Sequence, residues 1–199
     1  MNKSLTIPAP GRADSATLPE LIRELLLLLG ENPEREGLLR TPVRVAKAFK
    51  ELTDGYAVDI DRLINEAIFS QAYNEMVLVK DITFYSLCEH HLLPFFGTCH
   101  VAYVPNGKVI GLSKIPKIVA AFSHRLQVQE RLTQEIAQTL QMKLQPMGVA
   151  VVMDARHLCM EMRGAKSVMS PTVTSAMLGV FQKDARTREE FLTIIGHKR

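Results

Sequence analysis

Two stretches decide the fold: residues 75–87, EMVLVKDITFYSL, and residues 94–105, PFFGTCHVAYVP. Both are dense in β-branched and aromatic residues, which fit a pleated, half-buried surface. They read as two strands joined through Cys88-Glu89-His90-His91-Leu92-Leu93. Downstream the pattern turns helical over 113–125, opened by Ser113 as a cap, and again over 128–144, ended by Pro146. MGVAVVMDARHLCMEMRG (147–164) then reads as one long strand and PTVTSAMLGVF (171–181) as another, with 166–170 as the turn. TREEFLTIIG (187–196) closes the chain as a helix, Thr187 capping it and Glu190 completing a capping box. The order is ββααββ: an α+β domain with helices on one face of a four-stranded antiparallel sheet.

Upstream the grammar is helical. LPELIRELLLLLGENP (18–33) has Pro19 near its start and Gly30 beyond its end; TPVRVAKAFKELTDG (41–55) follows, with Thr41 as cap; a shorter helix fits 59–67. The expected organisation is a flexible lead-in over 1–17, a helical segment over 18–74, and the α+β domain over 75–199.

The 199 residues are 47% hydrophobic and 23% charged, which is ordinary globular composition and argues against disorder. A net charge of +3 calls for no nucleic-acid partner. The longest aliphatic run, Leu25–Leu29, is far too short to span a bilayer. Three cysteines cannot all pair, so reduced thiols in the cytoplasm are expected, and metal binding becomes admissible.

Cys88 and His91 form a C-x-x-H pair at a strand end, a mixed sulfur and nitrogen set that suits zinc. On a continuous strand Ala155, His157, Cys159, Glu161 and Arg163 share a face, and that face is polar where a core strand is apolar. Cys88, His91 and Cys159 together supply three ligands and leave a fourth position open, the pattern of a catalytic zinc. Cys99 has no ligand spacing to the others and is expected in the core, as are Met142, Met153, Met160, Met162, Met169 and Met177. Gly111-Leu112-Ser113-Lys114 opens a helix, and Lys114 and Lys117 add charge there, with Arg163 able to join from the sheet. Such a terminus favours a phosphate; the same residues also fit a solvated basic first turn.

Taken together, EGLLRTPVRVAKAF (36–49), FYSLCEHHLLPFFG (84–97), VIGLSKIPKIV (109–119), QVQERLTQEIA (127–137), DARHLCMEMRG (154–164) and TVTSAMLGVF (172–181) resemble the GTP cyclohydrolase I family, with order and spacing intact. The resemblance implies the tunnelling fold, Zn2+ as cofactor, and GTP as substrate, opened to 7,8-dihydroneopterin triphosphate with release of formate. It implies a homo-oligomer, a decamer of two pentameric rings with shared active sites. A four-stranded sheet with two unblunted edges fits such a ring; the division expected from it puts Gln129–Glu130 and the metal site serving one GTP on different chains. Position by position, it makes Cys88, His91 and Cys159 the zinc ligands and His90 and His157 the proton-transfer residues. It gives the guanine ring to Gln129 and Glu130, and the ribose and triphosphate to Ser113, Lys114, Lys117, Arg163 and Arg44. Lys117 stands where many members carry Arg, keeping the charge but losing bidentate phosphate geometry. Two other readings fit the same residues: another tunnelling-fold enzyme acting on a purine or pterin, and a non-catalytic zinc-stabilised paralogue.

Overall fold

A computed structural model of the chain describes residues 16–65, 67–168 and 170–196. The chain forms two compact units, Met1–Glu51 and Leu52–Arg199. The expected lead-in lies almost wholly outside the described residues, as does Met169. In the first unit, α1 (Leu18–Leu28) starts at Thr17, whose N–H and hydroxyl both donate to the Glu20 carboxylate at 2.6 and 2.8 Å. α2 (Thr41–Leu52) begins at Thr41 itself, with Pro42 in its first turn, where a missing N–H costs nothing.

The second unit continues through a 3-10 turn (Asp54–Ala57), α3 (Ile60–Asn65) and a short strand β1 (Ile68–Ser70). β2 (Val77–Cys88) and β3 (Pro94–Val104) are the two deciding stretches, paired antiparallel as the short connection between them requires. β4 (Lys108–Ile110) pairs with β1 in a separate two-stranded sheet, which residue patterning gave no sign of. After α4 (Lys114–Ser123) come β5 (Leu126–Gln127), α5 (Gln129–Leu144) and β6 (Gly148–His157). A single helical turn, α6 (Leu158–Glu161), then leads to β7 (Thr172–Gly179), α7 (Val180–Lys183) and α8 (Ala185–Ile194).

The main sheet has five strands in the order β5-β2-β3-β6-β7. β5 adds two residues, parallel to the end of β2, to the four strands expected. α4 and α5 cover one face. α5 buries Leu132, Ile136, Leu140 and Leu144, a spacing of four that makes one helical stripe, against Val149, Val151 and Met153 of β6. The other face carries a second, smaller core, in which Ala102, Val104, Ala150 and Val152 meet Phe181 and Phe191 of α7 and α8. The helix layer on one face is therefore joined by a short cover on the other.

Three local expectations need correction. The long strand over 147–164 stops at His157. Its partner β3 begins at Pro94, opposite the neighbourhood of His157, and proline has no N–H to continue the ladder. Leu158, Met160 and Glu161 are good helix formers and take up a turn instead. Met160 and Met162 are consequently exposed, and Met142 is exposed on α5, whereas Met153 is fully buried and Met177 packs on the second core. The last helix is capped by Asp184, not Thr187: the Asp184 carboxylate accepts from the Arg186 N–H at 2.9 Å and the Thr187 hydroxyl at 3.2 Å. Ser113 precedes α4 but its hydroxyl makes no capping bond.

Gly97 lies mid-sheet opposite Ala155, where a Cβ would come 1.9 Å from the Asp154 carbonyl oxygen and 2.8 Å from the Ala155 Cα. Neither backbone atom can yield without separating β3 from β6. Gly97→Ala is expected to cost at least about 2 kcal/mol, read as a lowered denaturation midpoint with an unchanged slope.

Candidate metal and nucleotide site

The sheet register builds the site. β3 lies between β2 and β6, with Leu87 opposite Pro94 and Phe95 opposite His157, so the ends of β2 and β6 emerge at the same end of the sheet. Cys88 closes β2, and its carbonyl accepts from the N–H groups of His91 (3.2 Å) and Leu92 (2.8 Å). Leu92 takes a positive φ of 55°, and the chain returns through a Cys88 N–H bond to Leu93 O at 2.9 Å. This tight turn brings the His91 ring back over Cys88, with Nδ1 at 3.9 Å from Sγ. α6 carries Cys159 to the same place.

One donor atom from each of Cys88, His91 and Cys159 lies within 4.8 Å of the other two. Tetrahedral zinc, with bonds of about 2.3 Å to sulfur and 2.0 Å to nitrogen, holds its donors about 3.5–3.8 Å apart. Small rotations of these side chains close that gap, so the donor set fits zinc in both chemistry and size. Electrostatics agrees. Burial, and next the neighbouring Cys88, push the Cys159 thiol up, with the Arg163 charge opposing. A Cys159 thiol that resists ionising beside Cys88 is what a cation relieves. The Cys159 ligand is thus reached by a helical turn and not by strand alternation. Glu161, expected on the ligand face, instead forms a two-bond pair with Arg156 at 2.6 and 2.8 Å.

Beside the cluster, the His157 ring stacks on Phe95, with centroids 4.7 Å apart and planes 3° from parallel. Its Nε2 lies 2.7 Å from Gln129 Oε1. The Gln129 amide nitrogen donates to Met153 O (3.2 Å), Thr172 O (2.8 Å) and Thr174 Oγ1 (3.1 Å). Carbonyls on that side fix which end is nitrogen, so Oε1 is the acceptor and His157 donates its Nε2–H. Thr133, which donates to the Gln129 carbonyl at 2.7 Å, also meets Thr174 at 2.6 Å and braces the arrangement. Burial pulls the His157 imidazole below its ordinary value, and the Glu130 charge opposes that. Burial thus favours the neutral form of His157.

Gln129 is 1% exposed, and its side-chain polar atoms are engaged within the protein, where they orient His157. Gln129 bonds His157 of its own chain, and the Glu130 charge is felt there too. The remaining expected residues are placed as follows. His90 is exposed, its ring edge-on to His91 at 6.2 Å. Arg163 is exposed, with its charge felt at Cys159. Ser113 and Lys117 are exposed and Lys114 half-buried at the start of α4. Arg44 lies on α2, in the first unit. Thr133, Thr174, Phe95, Glu89 and Arg131 escaped sequence reading. They are ordinary residue types whose roles come from contacts across 41 positions of chain or more.

The GTP cyclohydrolase I family model matches residues 18–196 of the chain. The chain belongs to the GTP cyclohydrolase I family. It is 57% identical over 178 residues to GTP cyclohydrolase 1 of Leptospira biflexa, covering 89% of this chain and 97% of that one. It is 55% identical over 197 residues to GTP cyclohydrolase 1 2 of Nostoc sp., covering 99% and 91%. With GTP cyclohydrolase 1 of Campylobacter jejuni the identity is 55% over 176 residues, covering 88% and 93%. The activity is that of the family: zinc-dependent hydrolytic opening of the guanine imidazole ring of GTP, releasing formate and giving 7,8-dihydroneopterin triphosphate. The α+β architecture is that of the family's tunnelling fold, and the family's members are oligomeric.

Burial alone pushes the Cys99 thiol far above the ordinary range, and Cys99 is wholly enclosed. Iodoacetamide at pH 8 is expected to reach the half-buried Cys159 in chelator-stripped protein, and Cys99 only after denaturation. Zinc should slow labelling of Cys159 and Cys88 and leave Cys99 unaffected, as read by peptide mass spectrometry.

Proposed function

We propose that Cys88, His91 and Cys159 hold the zinc, that His157 and His90 move protons beside it, and that Glu130 anchors guanine. The observation carrying this reading is the three-donor cluster set beside a histidine whose tautomer is fixed by Gln129. Zinc held there supplies a Lewis acid that raises the nucleophilicity of water near neutral pH. Hydrolysis at C8 of guanine needs a proton delivered to a ring nitrogen, and a neutral imidazole beside the reacting carbon is suited to accept and return one. With Nε2–H tied to Gln129, His157 keeps Nδ1 for that exchange, and Phe95 limits rotation of the ring. Exposed His90 is free to exchange protons with solvent.

Glu130 stands in the first turn of α5, where its carboxylate can accept from guanine N1–H and N2–H, a pairing adenine does not offer. Ser113, Lys114, Lys117, Arg163 and Arg44 bind ribose and triphosphate, which the reaction leaves unchanged. Their contribution is orientation.

The assembly is a decamer of two pentameric rings with shared active sites. β2 over 77–86 and β7 each have one main-sheet partner, and pairing between copies covers both edges. The sharing is between the metal, His157 and Glu130 of one chain and the α4 start of its neighbour. α4 abuts the β2 end through its C-terminal side, where Ser86 donates to Arg125 O. Its ten residues put Ser113 and Lys114 about 15 Å farther along. Among the described residues no helix is long and apolar enough to cross a membrane, and the protein acts in the cytoplasm.

Glu130→Gln would set an amide donor against the guanine N–H groups, a mismatch of several kcal/mol in the bound state only. Formate release from GTP should fall at least about a hundredfold with little change in thermal midpoint. Near-normal turnover would refute the anchor. Cys159→Ser and Lys114→Ala, each impaired alone, should regain activity when refolded together, because some pockets then combine two intact halves. Mixed oligomers that stay as impaired as the parents would refute this division of the pocket.

A further inference from the structure

Glu89 lies inside the Cys88–His91 segment, and Arg131 follows Glu130 on α5; neither has a part in the reading above. They meet across 42 positions of chain, with both terminal guanidinium nitrogens of Arg131 on the Glu89 carboxylate. Arg131 Nε donates to Gln127 Oε1 at 2.9 Å, and Nη2 also reaches Leu126 O at 3.4 Å. Gln127 is 2% exposed, and its amide nitrogen donates to Phe122 O (3.2 Å) and Glu135 (2.8 Å), which leaves Oε1 for Arg131. The Glu89 N–H, in turn, donates to Gln127 O at 3.0 Å. Backbone and side chain of Glu89 are thus tied to the same short segment that leads into α5.

Strand pairing at that joint is brief. β5 pairs with β2 at two positions, Leu87 with Leu126 and Cys88 with Gln127. The two charged side chains are 41% and 33% exposed, so solvent screening leaves the pair little weight as a stability element. A two-pronged guanidinium–carboxylate contact nevertheless fixes direction as well as distance. It joins the residue after Cys88 to the residue after Glu130.

We propose that the Arg131–Glu89 pair is a positioning clamp that sets the spacing between the metal loop and the guanine-anchoring turn of α5. Both are positioning residues that act without touching GTP. The inference rests on the assignment of Cys88, His91 and Cys159 to zinc and of Glu130 to guanine. The clamp holds the loop against rotation, so its loss loosens zinc and misplaces the reacting carbon while the fold persists.

The test uses full-length, zinc-loaded enzyme carrying Arg131→Ala, Arg131→Lys, Glu89→Ala or the double alanine change. Zinc release to a chromogenic chelator, kcat and KM for GTP, and thermal midpoint are measured on each. Zinc release should quicken about tenfold in either alanine variant, the size usual for loss of a contact supporting metal ligands. The double variant should release zinc no faster than the singles, because one contact is lost in all three. kcat should fall about tenfold or more with KM changed less than about threefold, as expected when guanine binds but the reacting atoms are misplaced. Arg131→Lys should behave like Arg131→Ala, since it keeps the charge and loses the fork. Wild-type release and kcat in the alanine variants, multiplying effects in the double variant, rescue by lysine, or a fall in thermal midpoint in step with zinc loss would each overturn the clamp. Cys159→Ser, run in parallel, separates the two readings: if it keeps its zinc, the metal assignment itself fails.

Discussion

The pairing of β3 with β2 on one side and β6 on the other is the constraint on which the site depends. It opposes Leu87 to Pro94 and Phe95 to His157, and so delivers Cys88 and His157 to one end of the sheet. A slip of one residue in either ladder would turn Phe95 and His157 to the other face and separate the ligands. Burial secures the register: Phe95, Cys99, Val101 and Tyr103 face the core under α4 and α5, while Ala102 and Val104 face the smaller core under α7 and α8. A sheet packed on both faces at one end leaves the other end free for chemistry.

Polar groups at that end are held by neighbours from distant parts of the chain. Gln129 links the start of α5 to β6 and β7 and fixes the protonated nitrogen of His157. A buried amide that left one of these groups unpaired would cost a few kcal/mol, which explains why Gln129, Thr133 and Thr174 act as a unit. The metal ligands follow the opposite logic. The Cys159 thiol is costly to ionise where it sits, and binding of a cation supplies the missing charge.

Much of this was legible in residue pattern. β-rich runs over 75–87 and 94–105 became β2 and β3, the apolar stripe of 128–144 became α5, and Cys88-x-x-His91 stood out by spacing. The reading over 147–164 failed at an instructive place. A strand there predicted one face for His157, Cys159 and Glu161, yet the ladder ends at His157 because β3 offers no further partner. Cys159 joined the cluster nonetheless, by a helical turn, so the residue type was right and the geometry behind it was wrong. The capping box at Thr187 failed for a related reason: Asp184, three residues earlier, is the stronger cap.

Local sequence by itself determined the elements and the chemical inventory, because periodicity, caps and ligand types act over a few residues. It also carried the family, since long ordered segments are a property of the chain and need no fold to be read. Tertiary structure alone decided which inventory becomes a site. The engagement of Gln129 with His157, the brace of Thr133 on Thr174 and the bridge from Glu89 to Arg131 depend on residues 28 to 42 positions apart. Such contacts leave no period in the sequence; they arise only when strand register fixes distances that no local rule contains.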